Sequence, residues 1–548
     1  MTANCYQRER KTEYKILKLV VSIMLTASFM LQSICLAFAD EKPQKLTSAT
    51  YVSDAWVVNF WNTESNHMQE ELAQIKADGF NSIILVIPWR EFQPSVSPVS
   101  YNPYAWEKLH RIMAAAGEAD LWVMVRVGYT WDYFDSSSVL PRFEGLLYQK
   151  GGTKDAWLSY VQKLHDELSG YANFYGGFIT WEDFWNFPDK AGTLGSGSSS
   201  VRMAEQVGYQ AYLEEHCLLE DINRMYRKEF SSFQQVYLPL REDYAYLLFY
   251  EFYDDFLNRL LVESQAVFPE LSLEVRLDFD PVTDEEGTGK IGISHYGTFV
   301  CAESHYTSAM YSVSMGYDHG NDITSLEAVE EMERQLAAIN ANNGGKSVYL
   351  DQFLYMDTTA EFAHNTQLKP EERSQFLVDA IPVLNSMTMG YGIWTYRNYT
   401  DNIIYNSQFA LGNNRWSTDG GCTIEEIDGN MAARFAGRQG SLSQDIQSRL
   451  KGTVIPIQAS LWVKSETPVD LTVTIGGVSK SMLVISERQI DLDFGRVNPD
   501  YIHITAKGDI LIDNINVYSY EQDGQLYGLD GNELSCIESM RILNAAMQ

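Results

Sequence analysis

Between residues 50 and 400, short apolar runs alternate with stretches whose apolar residues recur every three or four positions. That alternation of strand and helix periods is the mark of a parallel sheet joined by crossover helices. Ala55–Phe60 is the first short run. A helix follows, with Met68, Leu72 and Ile75 on one face and Gly79 as its stop. Ser82–Ile87 is a buried strand halted by Pro88. Asn102 and Pro103 supply an N-cap and a first-turn proline to a helix carrying Trp106, Leu109 and Met113. Leu121–Val127 is the third strand. A helix through Trp157, Val161, Leu164 and Leu168 ends at Gly170 and leads into a strand that runs to Trp181 and Glu182.

The second half follows the same order with an interruption. A long helical stretch separates residue 200 from the strand Leu271–Phe279, and reads as an insertion, with Gln235–Leu238 as an alternative strand within it. Thr307–Ser314 is the sixth strand. Thr324 and Glu327 form a capping-box pair before a helix bearing Val329, Met332, Leu336 and Ile339. Ser347–Phe353, a helix over Pro370–Leu384 and Tyr391–Tyr396 bring the strand count to eight. Eight strands over about 350 residues predict an α/β fold, a (β/α)8 TIM barrel with insertions, over residues 48–402. After 402 the helical period gives way to short alternating strands such as Gln458–Val463, Leu471–Ile475, Tyr501–Thr505 and Ile510–Val517, divided by Gly, Asn and Ser. These predict an all-β sandwich, jelly-roll-like, over 403–520. The tail 521–548 reads either as a helix around Ile537, Met540, Ile542 and Leu543 or as loose chain.

Charge and the termini narrow the partners. The 548 residues carry a formal charge of -32, which repels nucleic acid and anionic lipid; nucleic acid is excluded as a partner, and a monomer is expected. A basic stretch ending at Lys18 precedes an uncharged, mostly apolar run, Leu19–Ala39, that closes on Ala37-Phe38-Ala39. This predicts a cleaved export signal over 1–39 and a secreted or extracytoplasmic protein. At about 21 residues the run is also long enough to act as an uncleaved membrane anchor. Removing it takes away five basic and two acidic residues, so the remainder is more acidic still. Cys217, Cys301, Cys422 and Cys536 have no close-spaced partners, and neither a zinc site nor a disulfide framework is expected. No metal or organic cofactor is implied.

Candidate chemistry clusters where strands end. The C-terminal ends of barrel strands meet at one face, so residues there converge on one pocket. Trp181-Glu182-Asp183 closes the fourth strand, and flanking indoles desolvate a carboxyl and raise its pKa, as a general acid requires. The alternative is an acid paired with an interior arginine. Asp351-Gln352 closes the seventh strand, across the mouth from the fourth, where a carboxylate is placed as nucleophile or base, or else as a structural acid. Along Leu271–Asp280, Glu274, Arg276, Asp278 and Asp280 share one face. If that face is interior, they must pair with one another and with Arg126 from the third strand. Asp278, nearest the rim, is the expected substrate contact. Trp89, Tyr311, Trp394 and Tyr396, with Trp181, Trp185 and Arg126, complete the expected sugar-binding set, since flat rings stack on sugar faces.

These residues resemble a family. Residues 50–400 are similar to the retaining (β/α)8 glycoside hydrolases that include cellulases and β-mannanases, in which a Glu ending strand four is the acid/base. In that family a Glu ending strand seven is the nucleophile, and a strand-eight Trp lies under the cleaved sugar; Trp394 matches that Trp. Residues 403–520 look like carbohydrate-binding modules, on Asn406-Ser407-Gln408-Phe409, Trp416 and Ile512-Asp513-Asn514-Ile515. Two positions depart from the pattern. Trp185-Asn186-Phe187-Pro188 has Phe where the acid/base belongs, and Leu350-Asp351-Gln352-Phe353 has Gln where the nucleophile belongs. A β-bulge or altered loop would let Glu182 and Asp351 replace them on the same strands. The resemblance therefore implies a secreted hydrolase that cleaves β-linked polysaccharide, including cell-envelope glycan, through Glu182 and Asp351. The competing expectation is a polysaccharide-binding protein on a degenerate barrel.

Overall fold

The computed structural model describes residues 42–65, 67–129, 141–148, 151–180, 198–240, 242–275, 280–293, 303–313, 321–356, 365–446, 452–521 and 526–548. Eight parallel strands close into a barrel: β1 (Leu46–Thr50), β2 (Ser82–Pro88), β3 (Trp122–Tyr129), β4 (Phe174–Ile179), β5 (Leu271–Val275), β6 (Thr307–Ser312), β7 (Val348–Leu354) and β8 (Gly390–Ile393). Each strand pairs in sequence order with the next, and β8 returns to β1, with Ser48 opposite Gly392.

The first strand is not the expected one. Ala55–Phe60 forms no strand; Asn59–Asn62 is a short 3-10 helix whose Phe60 and Trp61 fill the core. β1 has the sequence Leu-Thr-Ser-Ala-Thr, too polar to read as buried, yet every residue in it is buried. Its polar groups are satisfied inside the barrel: Ser48 Oγ lies 2.6 Å from Ser82 Oγ, and Tyr349 donates to Ser48 Oγ at 2.7 Å. Gln235–Leu238 is likewise no strand.

Helices cover the barrel: α1 (Met68–Ala77), α2 (Pro103–Glu118), α3 (Thr153–Leu168), α4 (Tyr246–Gln265), α5 (Ser325–Asn342), and α6 (Arg373–Asp379) followed by α7 (Ile381–Met387). Several start as the sequence dictates. Asn102 accepts from Tyr104 N, and Thr324 with Glu327 makes a complete capping box. Gly79 ends the first unit at φ 85°, a backbone region that suits glycine. Short helices at Ser198–Gln206, Tyr209–His216 and Leu219–Tyr226 make up much of the insertion before α4. Between β5 and β6 the described residues hold a hairpin, Asp280–Thr283 with Lys290–Ile293.

The β domain follows β8 directly. Its strands are β9 (Tyr399–Asn402), β10 (Ser417–Ile427), β11 (Asn430–Asp445), β12 (Ile455–Lys464), β13 (Val469–Ile475), β14 (Val478–Val484), β15 (Arg488–Val497), β16 (Tyr501–Lys507) and β17 (Ile510–Glu521). They form one antiparallel sheet in the order β14-β13-β16-β11-β17-β12-β15, with β9 on β17 and β10 on β11. Alternate residues, among them Leu461, Val463, Leu471, Val473, Ile504 and Ile512, are buried in its core.

The tail completes the barrel. α8 (Ile537–Met547) packs against α6, α7 and β1. Tyr391 donates to Asn544 Oδ1 at 2.6 Å, Asn544 donates to Asp78 O at 2.9 Å, and Asn385 donates to Ala546 O at 3.1 Å. This is the place of the eighth barrel helix, between the seventh helical unit and the first. The β domain, from Tyr399 to Glu521 among the described residues, is therefore inserted between strand eight and its helix. Polar contacts seat the insertion on the barrel. Ser407 N donates to Asn62 Oδ1 (3.0 Å), Ser407 Oγ to Asn62 O (2.6 Å), and Trp56 N to Thr400 O (2.8 Å).

Candidate active site

The barrel interior is layered. At its floor Leu46, Ile84, Met124, Phe178, Tyr306 and Tyr349 form an apolar cluster. One pleat further toward the C-terminal ends lies a charged layer. Arg126 on β3, Thr180 just after β4 and Asp351 on β7 point inward, since each follows a floor residue by two positions, and Glu274 on β5 meets Arg126 there. Arg126 Nη2 donates to Thr180 Oγ1 at 2.9 Å and to both Glu274 oxygens at 3.1 and 3.2 Å. Thr180 Oγ1 donates in turn to Glu274 Oε2. Arg126 Nε lies 3.7 Å from Asp351 Oδ2. The side chains of Arg126, Glu274 and Asp351 are 1%, 1% and 0% exposed. The expected pairing of Glu274 with Arg126 is present; Arg276 and Asp278 lie outside the described residues, as do Glu182, Trp181 and Trp185.

β7 carries a register shift at Asp351. Against β6, Ala309 pairs with Leu350 and Met310 with Gln352, leaving Asp351 as an extra residue. Against β8, Leu350 pairs with Tyr391 but Phe353 with Ile393. The side chains agree. Tyr349 and Asp351 face the interior, whereas Phe353 already faces out, stacked on Phe376 of α6. A bulge at Asp351–Gln352 accounts for the change of parity, and bulges of this kind re-aim side chains next to active sites. Gly392 accommodates the result: a Cβ there would come within 2.3 Å of Ile84 Cδ1 and 3.2 Å of Asp351 O.

Trp394 follows Gly392 by two residues, and so lies on the same face one step nearer the mouth. Its ring meets Trp56 edge to face, 6.0 Å away at 86°, and the Trp394–Thr395 peptide is cis. Trp56 was not among the expected site residues, because the run Ala55–Phe60 read as a strand. No pattern in the sequence singles it out.

Four expected contacts lie elsewhere. Tyr311 points out of the barrel, donating to Ala328 O at 3.0 Å and stacking on Phe353 and Phe376. Trp89 is fully buried between β2 and α3, against Trp157 and Tyr160, with its indole N–H on Gln93 Oε1 at 2.8 Å. Tyr396 donates to Asp78 Oδ2 and packs on Tyr527, so it fastens the tail to the barrel. Arg126 is sealed beneath the mouth and serves Asp351 and Glu274 instead of a ligand. Of the expected set, the structure puts Arg126 against Asp351, and Trp394 on the inward face of β8 against Trp56.

Beside Trp89, Glu91 is buried and its carboxyl is pushed up to about 7, first by loss of water, with Arg90 and Arg142 opposing. Among the described residues no group of three or more His, Cys, Asp or Glu could hold a metal ion. No described helix is long and apolar enough to cross a membrane, and the run 19–39 lies outside the described residues.

No family model matches this sequence, and no curated protein matches it. Solved structures match parts of this chain. An exo-β-1,4-mannosidase from Opitutaceae bacterium strain TAV5 is 12% identical, with a TM-score of 0.41 over 65% of this chain and 52% of its own. This chain thus spans about half the length of that mannosidase. A GH5_18 protein from Streptomyces cattleya, in complex with GlcNAc, is 15% identical, with a TM-score of 0.40 over 65% and 72%. A smaller match, TmCBM61 in complex with β-1,4-galactotriose, is 20% identical, with a TM-score of 0.19 over 22% of this chain and 99% of its own.

Proposed function

We propose that the protein is an extracytoplasmic glycoside hydrolase acting on β-linked polysaccharide, with Glu182 and Asp351 as its two carboxylates. The observation that carries this reading is the bulge at Asp351–Gln352. There Asp351, beside Arg126, keeps the inward face of Tyr349 two positions before it, while the bulge turns the chain after it, from Phe353 on, outward. In this reading Glu182, two residues beyond Thr180, protonates the leaving oxygen. Asp351 attacks the anomeric carbon or activates water: a carboxyl separation of about 5 Å gives retention and about 6.5–9.5 Å inversion. Trp394, Trp181, Trp185 and Asp278 hold the sugar, and the inserted β domain binds further along the chain.

A second reading is favoured by the full burial of Asp351 and its contact with Arg126, which also suit a structural acid. There the barrel is a polysaccharide-binding scaffold without chemistry. Reducing-end release from soluble β-1,4-glucan, mannan, xylan and galactan separates the two. The hydrolase reading predicts release by the wild type, and loss of at least about a thousandfold in Glu182→Gln and Asp351→Asn with binding retained. Binding without release from any of the four glycans supports the scaffold.

A further inference from the structure

The charged layer contains two groups to which the proposed reaction assigns no task, Thr180 and Glu274, and their geometry is directional. A guanidinium is planar and rigid, so holding one end fixes where the other end points. Thr180 Oγ1 and both Glu274 oxygens hold Arg126 at Nη2, within 2.9–3.2 Å. The Nε of the same planar group faces Asp351 Oδ2. Thr180 is itself tied down. Its backbone N–H donates to Val127 O at 2.9 Å, its branched side chain has few rotamers, and its hydroxyl also donates to Glu274. The register places it opposite Glu274, because Ile179 pairs with Leu273. Strands three, four, five and seven are thereby linked in one chain of contacts across the barrel.

We propose that Thr180 and Glu274 are positioning residues: they aim Arg126 at Asp351 and couple the end of strand four to the carboxylate of strand seven. The proposal rests on the hydrolase reading above. It adds that the end of strand four at Thr180 and the strand-seven acid are held together through Arg126, so that loosening one displaces the other. A network serving stability alone would lower the melting temperature without selectively changing turnover.

The test is steady-state kinetics on whichever of cellohexaose, mannohexaose and xylohexaose the wild type cleaves. Thr180→Val keeps the shape and removes the hydroxyl. It is expected to lower kcat about tenfold to a hundredfold with KM within about twofold, as small misplacements of reacting groups do. Glu274→Gln is expected to behave alike, giving a second variant should Thr180→Val fold poorly. Thr180→Ser, which restores the hydroxyl, should bring kcat back to within about threefold of the wild type. Wild-type turnover in Thr180→Val and Glu274→Gln, beside an inactive Asp351→Asn, would overturn the positioning role and leave the hydrolase standing. Absence of release from all three oligosaccharides by the wild type would overturn both.

Discussion

The two layers of the barrel interior differ by one pleat and by everything else. The floor is an apolar cluster whose two interior tyrosines discharge their hydroxyls on Gly177 O and Ser48 Oγ. Above it, Arg126 holds Glu274 and Asp351 with almost no exposed surface. A floor of this kind gains free energy from packing, whereas buried charge is costly unless paired, and is poor evidence of stabilisation. Retaining charge next to the mouth therefore points to a task, while the floor needs none beyond holding the strands apart.

Removing the cation should break this contrast most severely. Arg126→Leu removes the buried cation that faces Glu274 and Asp351 and is expected to cost about 3–5 kcal/mol in urea unfolding, with loss of any activity. A loss below about 1 kcal/mol would mean that the acids are hydrated and the layer is not sealed.

Glu91 sharpens the contrast from outside the barrel, as a buried acid not held by a guanidinium in this way. Its folded carboxyl titrates near 7 against an ordinary 4.5, because burial disfavours the charged form. The folded state thus binds a proton more tightly than the unfolded chain. Its contribution is intact below the ordinary value and is lost as pH rises from there through 7. Glu91→Gln should therefore be more stable than the wild type at pH 8, by about 1–3 kcal/mol, and no more stable at pH 4. Equal gains at both pH values would contradict the assignment.

The smallest effect is expected at the floor. Tyr349→Phe removes one hydrogen bond and should cost about 1 kcal/mol, with kcat unchanged.

How much of this was legible follows from which faces are buried. Helices with one wet face announced themselves, and the capping box at Thr324 and the cap at Asn102 fell where expected. Barrel strands are buried on both faces, so the pattern of residues does not say which side faces in. Tyr311 and Trp89 consequently read as rim residues, although both belong to the packing between strands and helices. β1 was hidden because Ser48 is satisfied by Ser82 and Tyr349 of other strands and Thr47 by Gly79 and Asn81, and no local pattern encodes that. Helix α8 was visible as a helix, but its place in the barrel was not, since more than a hundred residues of β domain separate it from strand eight. The bulge at Asp351 needed the neighbouring strands to define it; in the sequence it was only a carboxylate one position away from where the family pattern puts one.

The separation of the Glu182 and Asp351 carboxyl oxygens in a crystal structure of the full chain bears most directly on the two-carboxylate account. It predicts both groups facing one cleft beneath Trp394, about 5–9.5 Å apart. Glu182 turned toward the helical shell, or a separation well beyond about 10 Å, would contradict it.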